Sequence, residues 1–188
     1  MTSWPNWPRR NDKCRERASI RLPFVHVFVI GIDPGLTATG YGVVRDHHGV
    51  TPIAAGVIRT SPSDPLPQRL RELYDNLMSV LSEHQPHAMA IEQVFTNRNR
   101  QTAIAVGRAG GIAILAAAHR NLSVFEYTPT AVKAAVAGDG RAGKDAIQTM
   151  VARRLRLRSL PQPVDAADAL AVALCHLQSV QIAEAASR

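Results

Sequence analysis

Four carboxylates in this chain have the types and settings for shared chemistry: Asp33, Glu92, Asp165 and Asp168. Asp33 lies in Gly31-Ile32-Asp33-Pro34-Gly35-Leu36-Thr37, after the β-branched apolar run Val25–Ile30, which reads as a buried central strand. Glu92 closes the short apolar run Ala88-Met89-Ala90-Ile91. Asp165 and Asp168 open the last helix, where a spacing of three puts them on one face. A carboxylate at the end of a buried strand is costly unless it is paired or holds a cation. Four of them on one small site would repel and raise one another's pKa until cations neutralise them. Oxygen donors without His or Cys select hard ions, Mg²⁺ or Mn²⁺. Two such ions about 4 Å apart clamp the attacking and leaving oxygens of an in-line phosphoryl displacement. Metal-assisted hydrolysis of a phosphodiester is the chemistry expected.

Each acid also has a plainer reading. Asp33 could bond its own turn backbone. Asp165 could be a helix N-cap, with Asp168 a second acid favoured by the helix dipole. Capping explains Asp165 better than Asp168, because Ala169 to Leu174 are apolar and mark a buried helix. A non-catalytic protein whose acids only cap and pair stays open.

The elements that must carry these acids follow from periodicity. Pro34 and Gly35 turn the chain into a return strand, Gly40–Val44, and Thr51–Ile58 reads as a third, weaker strand. Leu70, Leu73, Leu77, Val80 and Leu81 recur at helical spacing over Leu66–His84. After the strand Ala88–Glu92 comes a polar, basic loop carrying Phe95, Arg98 and Arg100. A helix over 101–119 contains Gly107, Gly110 and Gly111; each costs it up to about 1 kcal/mol relative to Ala, which asks for close backbone packing. Leu122–Thr128 is a fifth strand, Thr130–Ala137 a short helix with Lys133, and Lys144–Leu157 a helix ending among Arg153, Arg154, Arg156 and Arg158. Those arginines suit the helix dipole and need no further partner. The last helix runs from Asp165 to about Ala186. This order implies an α/β protein: a five-stranded mixed sheet with helices on both faces.

Composition bounds the partners. Of 188 residues, 46% are hydrophobic and 20% charged, which is ordinary for one globular domain. No apolar run approaches the roughly 18 residues of a membrane helix, so no membrane partner is expected. Cys14 and Cys175 match no metal spacing, and a reducing cytoplasm is the default. The net charge of +7 points to a polyanion, yet residues 1–26 hold six basic against two acidic side chains, leaving the rest only +3. Two divalent ions would restore +7 there. Residues 1–26 have no helical or strand period and read as a disordered basic tail, with residues 27–188 as the domain.

Several motifs together carry a family likeness. Gly31-Ile32-Asp33-Pro34-Gly35-Leu36-Thr37 with Thr39-Gly40-Tyr41-Gly42, and Ile91-Glu92-Gln93-Val94-Phe95, resemble the RuvC family of Holliday-junction resolvases. So do Glu126-Tyr127-Thr128-Pro129 with Val132-Lys133, Lys144 with Gln148-Thr149-Met150-Val151, and Asp165–Ala171. The resemblance covers about residues 27–178 and favours Val27 as the family's usual start. It implies an RNase H-like fold and a homodimer that nicks two strands of a four-way DNA junction symmetrically. It implies Asp33, Glu92, Asp165 and Asp168 as catalytic ligands of two Mg²⁺ ions per site, with Mn²⁺ as substitute. By the same likeness Lys133 and Lys144 lie near the scissile phosphate, and Phe95 stacks on a base. Arg98 and Arg100 are expected on the DNA, and branch-migration proteins of the RuvA and RuvB type are the implied partners. Solvated lysines and a hydrophobic plug are the plainer readings of Lys133, Lys144 and Phe95.

The chain departs from the pattern in two places. Where the family usually has Gly-Gln-Ala-Arg-Gly, it has Gly107-Arg108-Ala109-Gly110-Gly111, and Ala146, two residues after Lys144, stands where a polar residue is common. Another RNase H-like nuclease, acting on RNA or duplex DNA, would share the acids without preferring a junction. A phosphotransferase of the actin/hexokinase type would need a second phosphate loop and a longer chain.

Overall fold

The computed structural model describes residues 27–93 and 100–186. The tail 1–26, Phe95 and Arg98 lie outside the described residues. A five-stranded sheet forms the middle layer: β1 (Val27–Asp33), β2 (Ala38–Asp46), β3 (Val50–Arg59), β4 (Ala88–Glu92) and β5 (Ser123–Tyr127), in the order β3-β2-β1-β4-β5. β1 to β3 form an antiparallel meander, while β4 pairs parallel with both β1 and β5. The mixed α/β sheet expected from the pattern is the one observed.

β1 is buried on both faces because helices cover both, so its side chains alternate between two apolar cores. On one side Ile30, Ile32, Val43, Met89 and Ile91 pack against α1 (Leu66–His84) and α2 (Arg100–His119), through Leu73, Leu77, Leu81, Ala109 and Ala113. On the other side Val29, Val44 and Ala90 pack against α3 (Pro129–Ala137), α4 (Lys144–Arg154) and α5 (Val164–Ala186). Tyr127 of β5 and the buried His176 of α5 share a 2.8 Å hydrogen bond between the phenol oxygen and Nδ1. Burial pushes His176 down to about 4, so the ring is neutral.

Four expectations need correction. α4 stops at Arg154; Leu155 caps it and Arg156 takes a left-handed φ of 52°. Arg154 is not a free dipole charge, since it donates to the Ala135 carbonyl at 2.8 Å and to Gln178 at 3.2 Å, joining α4 to α3 and α5. Among the described residues, Gly110 alone of the three α2 glycines has neighbours where a Cβ would stand, Ile91 at 3.8 Å and Pro34 at 3.9 Å, and none stands within 4 Å of such a Cβ at Gly107 or Gly111. Two helices, Arg100–His119 and Val164–Ala183, are long and apolar enough to cross a membrane by length and composition. Of the α5 span, 61% is buried inside the fold, as in the core helix of a globular domain.

Candidate active site

All three parallel strands point their C-terminal ends the same way, and the site is built on that edge. Asp33 is the last residue of β1 and Glu92 the last of β4, with Ile32 and Ile91 paired immediately before them. The remaining acids come from the start of α5, Asp165 in its first turn and Asp168 just after it, and this helix crosses the sheet at unusually close range. Gly31, Gly40 and Gly42 make that approach possible: a Cβ on Gly40 would overlap the Asp165 carbonyl, one on Gly31 would stand 2.6 Å from the Ala173 nitrogen, and one on Gly42 2.8 Å from Leu170. On the helix side, Ala166, Ala169 and Ala173 are buried and small. The helix backbone therefore lies directly on β1 and β2, and Asp165 and Asp168 arrive beside Asp33.

Asp165 is the second residue of α5, after Val164, and so sits inside the first turn; it is not the N-cap. Its charge is still favoured there by the helix dipole. The loop after Asp33 is held from within: the buried Thr39 hydroxyl donates to the Gly35 carbonyl at 2.7 Å and accepts from the Gly35 N–H at 3.4 Å.

The electrostatics are those of a crowded anionic site. Burial, then the charges of Glu92, Asp168 and Asp165, push Asp33 from 3.8 up to about 7. Burial and the charge of Asp168 raise Glu92, against Lys133 and Lys144. Asp168 is raised by burial while Lys144 and Lys133 pull it down. Lys144 Nζ lies 3.6 Å from Asp168 Oδ2. The sheet edge thus brings together the four acids and both lysines. Arg100 is exposed at the start of α2 and is not among the charges acting on the acids.

Among the described residues no three carboxylate, imidazole or thiolate side chains stand close enough to enclose an ion. Burial first, and then repulsion from Glu92, Asp168 and Asp165, holds Asp33 high, and a cation held among these acids would relieve that repulsion. The donor set is oxygen alone, which fits Mg²⁺ or Mn²⁺ and excludes a zinc-type thiolate or imidazole cage. The positioning glycines were missed from sequence; Gly40 and Gly42, two apart on one strand face, were the available signal.

A mixed sheet with acids at its strand ends and on a crossing helix defines an RNase H-like nuclease. The sequence model of the family described as crossover junction endodeoxyribonuclease RuvC matches residues 29–176. The crossover junction endodeoxyribonuclease RuvC of Desulforamulus reducens is 49% identical over 153 residues, covering 81% of this chain and 94% of that protein. That of Salinispora arenicola is 48% identical over 151 residues, covering 79% and 86%. Thermus thermophilus RuvC, solved in complex with a Holliday junction substrate, superposes with a TM-score of 0.79 at 36% identity, covering 84% of this chain and 97% of that one. The yeast mitochondrial Holliday junction resolvase Ydc2 shares the fold, with a TM-score of 0.58 at 14% identity. The chain belongs to the RuvC family of crossover junction endodeoxyribonucleases, and its activity is divalent-metal-dependent endonucleolytic resolution of DNA crossover junctions.

Proposed function

We propose that Asp33, Glu92, Asp165 and Asp168 hold two Mg²⁺ ions and cut the phosphodiester backbone of a four-way junction, once in each of two strands. One observation carries this reading: Asp33 is raised to about 7 with Glu92, Asp168 and Asp165 all acting on it, so three segments distant in sequence converge on one carboxylate. Two ions bound there, with Mn²⁺ as substitute, supply the charge that stabilises the attacking and leaving oxygens of an in-line displacement.

The protein's own groups do the rest. Asp33 and Glu92, fixed on adjacent strands, set the position of the reacting phosphate to within the play of a paired sheet. Lys144 neutralises Asp168 in the free protein and, as a compact charge on an exposed stem, can swing to a phosphate oxygen. Lys133 acts on Glu92 and Asp168 and takes the second phosphate oxygen. Phe95 and Arg98, which follow Glu92 in the sequence, and Arg100 at the start of α2 serve the DNA beyond the cut.

Symmetric nicking requires two active sites, and α2 supports a homodimer. Ile104, Gly107, Gly111 and Leu115 follow one another at three and four residues, with Ile104 and Leu115 about half exposed. Small residues in such a stripe let a second helix approach closely, which gives Gly107 and Gly111 the packing this chain alone does not. Branch-migration proteins of the RuvA and RuvB type are the expected partners on the junction, and the cytoplasm, where the DNA lies, is the expected location.

The test is cleavage of a synthetic mobile four-way junction with Mg²⁺, mapping both nicks. Paired symmetric nicks that vanish in Asp168→Asn support the reading. Wild-type cutting by that variant would overturn the acid assignment, and equal cutting of linear duplex would overturn the junction preference.

A further inference from the structure

Arg69 is a cation at the wrong end of its helix. It closes the first turn of α1, where the dipole disfavours positive charge, and no acid occupies that turn. No carboxylate lies within ion-pair distance of it among the described residues. Two neutral hydroxyls hold it: Nε donates to Thr60 Oγ1 at 3.0 Å and Nη2 to Thr37 Oγ1 at 2.9 Å. The buried Thr60 hydroxyl donates in turn to the Leu36 carbonyl at 2.6 Å, and the Thr60 N–H to the Thr37 carbonyl at 3.1 Å. The guanidinium is therefore aimed by its Nε side, while most of its five donors have no acceptor among the described residues. A rigid, half-exposed fork with an uncompensated charge is what binds a phosphate bidentately.

Its place in the fold says which phosphate. Thr37 follows Asp33 by four residues, so it lies at most about 14 Å from that carboxylate along the chain. β3 ends at Arg59, paired with Ala38, so Arg59, Thr60 and Arg69 all stand at the sheet edge that carries the acids. Lys133 and Lys144 approach that edge from the α3–α5 layer; Arg69 approaches it from the α1 layer on the opposite face. A DNA strand crossing the edge from one layer to the other meets the lysines, then the acids, then Arg69.

We propose that Arg69 and the Thr37 hydroxyl form a second phosphodiester-binding subsite, within a few nucleotides of the scissile phosphate, that fixes the direction of the cut strand. The proposal rests on the nuclease reading above. Its test is equilibrium binding of a synthetic four-way junction across a KCl series, with Ca²⁺ replacing Mg²⁺ so that no cutting occurs. For Arg69→Gln, the slope of log affinity against log salt becomes less negative by about 0.9 per lost phosphate contact, and Arg69→Lys keeps the wild-type slope. An unchanged slope in Arg69→Gln, even with weaker binding or a lower melting temperature, makes Arg69 a structural clamp and overturns the proposal. Should Arg69→Gln not fold, Thr37→Val at the exposed position carries the test: several-fold weaker junction binding is expected, and wild-type affinity overturns it. Failure of the wild-type protein to bind the junction in this series, or to cut it in a separate reaction with Mg²⁺, would instead sink the nuclease reading.

Discussion

Gly40 and Asp165 pack backbone against backbone, so closely that a Cβ on Gly40 would overlap the Asp165 carbonyl. Gly40 is also the strand partner of Asp33. The contact between a glycine and a helix backbone thus fixes how far Asp165 stands from Asp33.

Gly40→Ala should separate α5 from the sheet. The clash is with backbone, which no rotamer relieves, so the cost is expected to reach the overpacking range of about 1–3 kcal/mol or beyond. Displacing Asp165 and Asp168 by 1 Å should lower the cleavage rate about 100-fold. Urea unfolding and single-turnover cleavage check both. Wild-type cutting by a folded Gly40→Ala protein would show that the close approach does not set the site.

Metal-free protein should be more stable at pH 5 than at pH 8. Asp33 titrates at about 7 in the folded chain against 3.8 in an ordinary carboxyl, so between these values the folded state holds the proton more tightly. Its contribution favours folding at low pH and is lost as pH rises through about 7; Glu92 and Asp168 shift the same way. Asp33→Asn should flatten this dependence in EDTA and abolish cleavage. Mg²⁺ should reverse the trend, raising the melting temperature more at pH 8 than at pH 6. A melting temperature independent of Mg²⁺ at both pH values would contradict metal binding by these acids.

Lys144→Ala should separate catalysis from stability. The Lys144–Asp168 pair is 3.6 Å long and the lysine side chain is 77% exposed, so its loss should change stability by no more than about 1 kcal/mol. Cleavage should nonetheless fall about 10- to 1000-fold, because a charge near the reacting phosphate is removed. A parallel loss of stability and rate would mark the lysine as structural.

Leu115→Glu should produce a folded monomer. Leu115 is 45% exposed and Ile104 53%, so the charge disturbs no core of this chain while blocking apposition of two α2 helices. Sedimentation at micromolar concentration, with a thermal melt as control, checks this. A variant that stays dimeric would move the interface elsewhere.

Asp33, Glu92, Asp165 and Asp168 were recognisable along the chain because each interrupts or opens an apolar segment, where a charge is expensive and so informative. The α1 period and the strands around both acids were equally plain, since a repeat of two or 3.6 is a local property. The glycines were visible too, but their use was not: whether a missing side chain leaves room for this chain's own helix, as at Gly40, or faces none of the described residues, as at Gly107, depends on what the fold brings opposite. The same holds for cations. Arg154 reads as a charge at a helix end yet bonds across three helices, and Arg69, one charge on an amphipathic helix, is held at the sheet edge that carries the acids by Thr37 and Thr60. Local sequence settled which residues could do the chemistry, because burial cost acts on each residue where it stands; only tertiary structure decided which of them meet, because that depends on contacts between segments far apart in the chain.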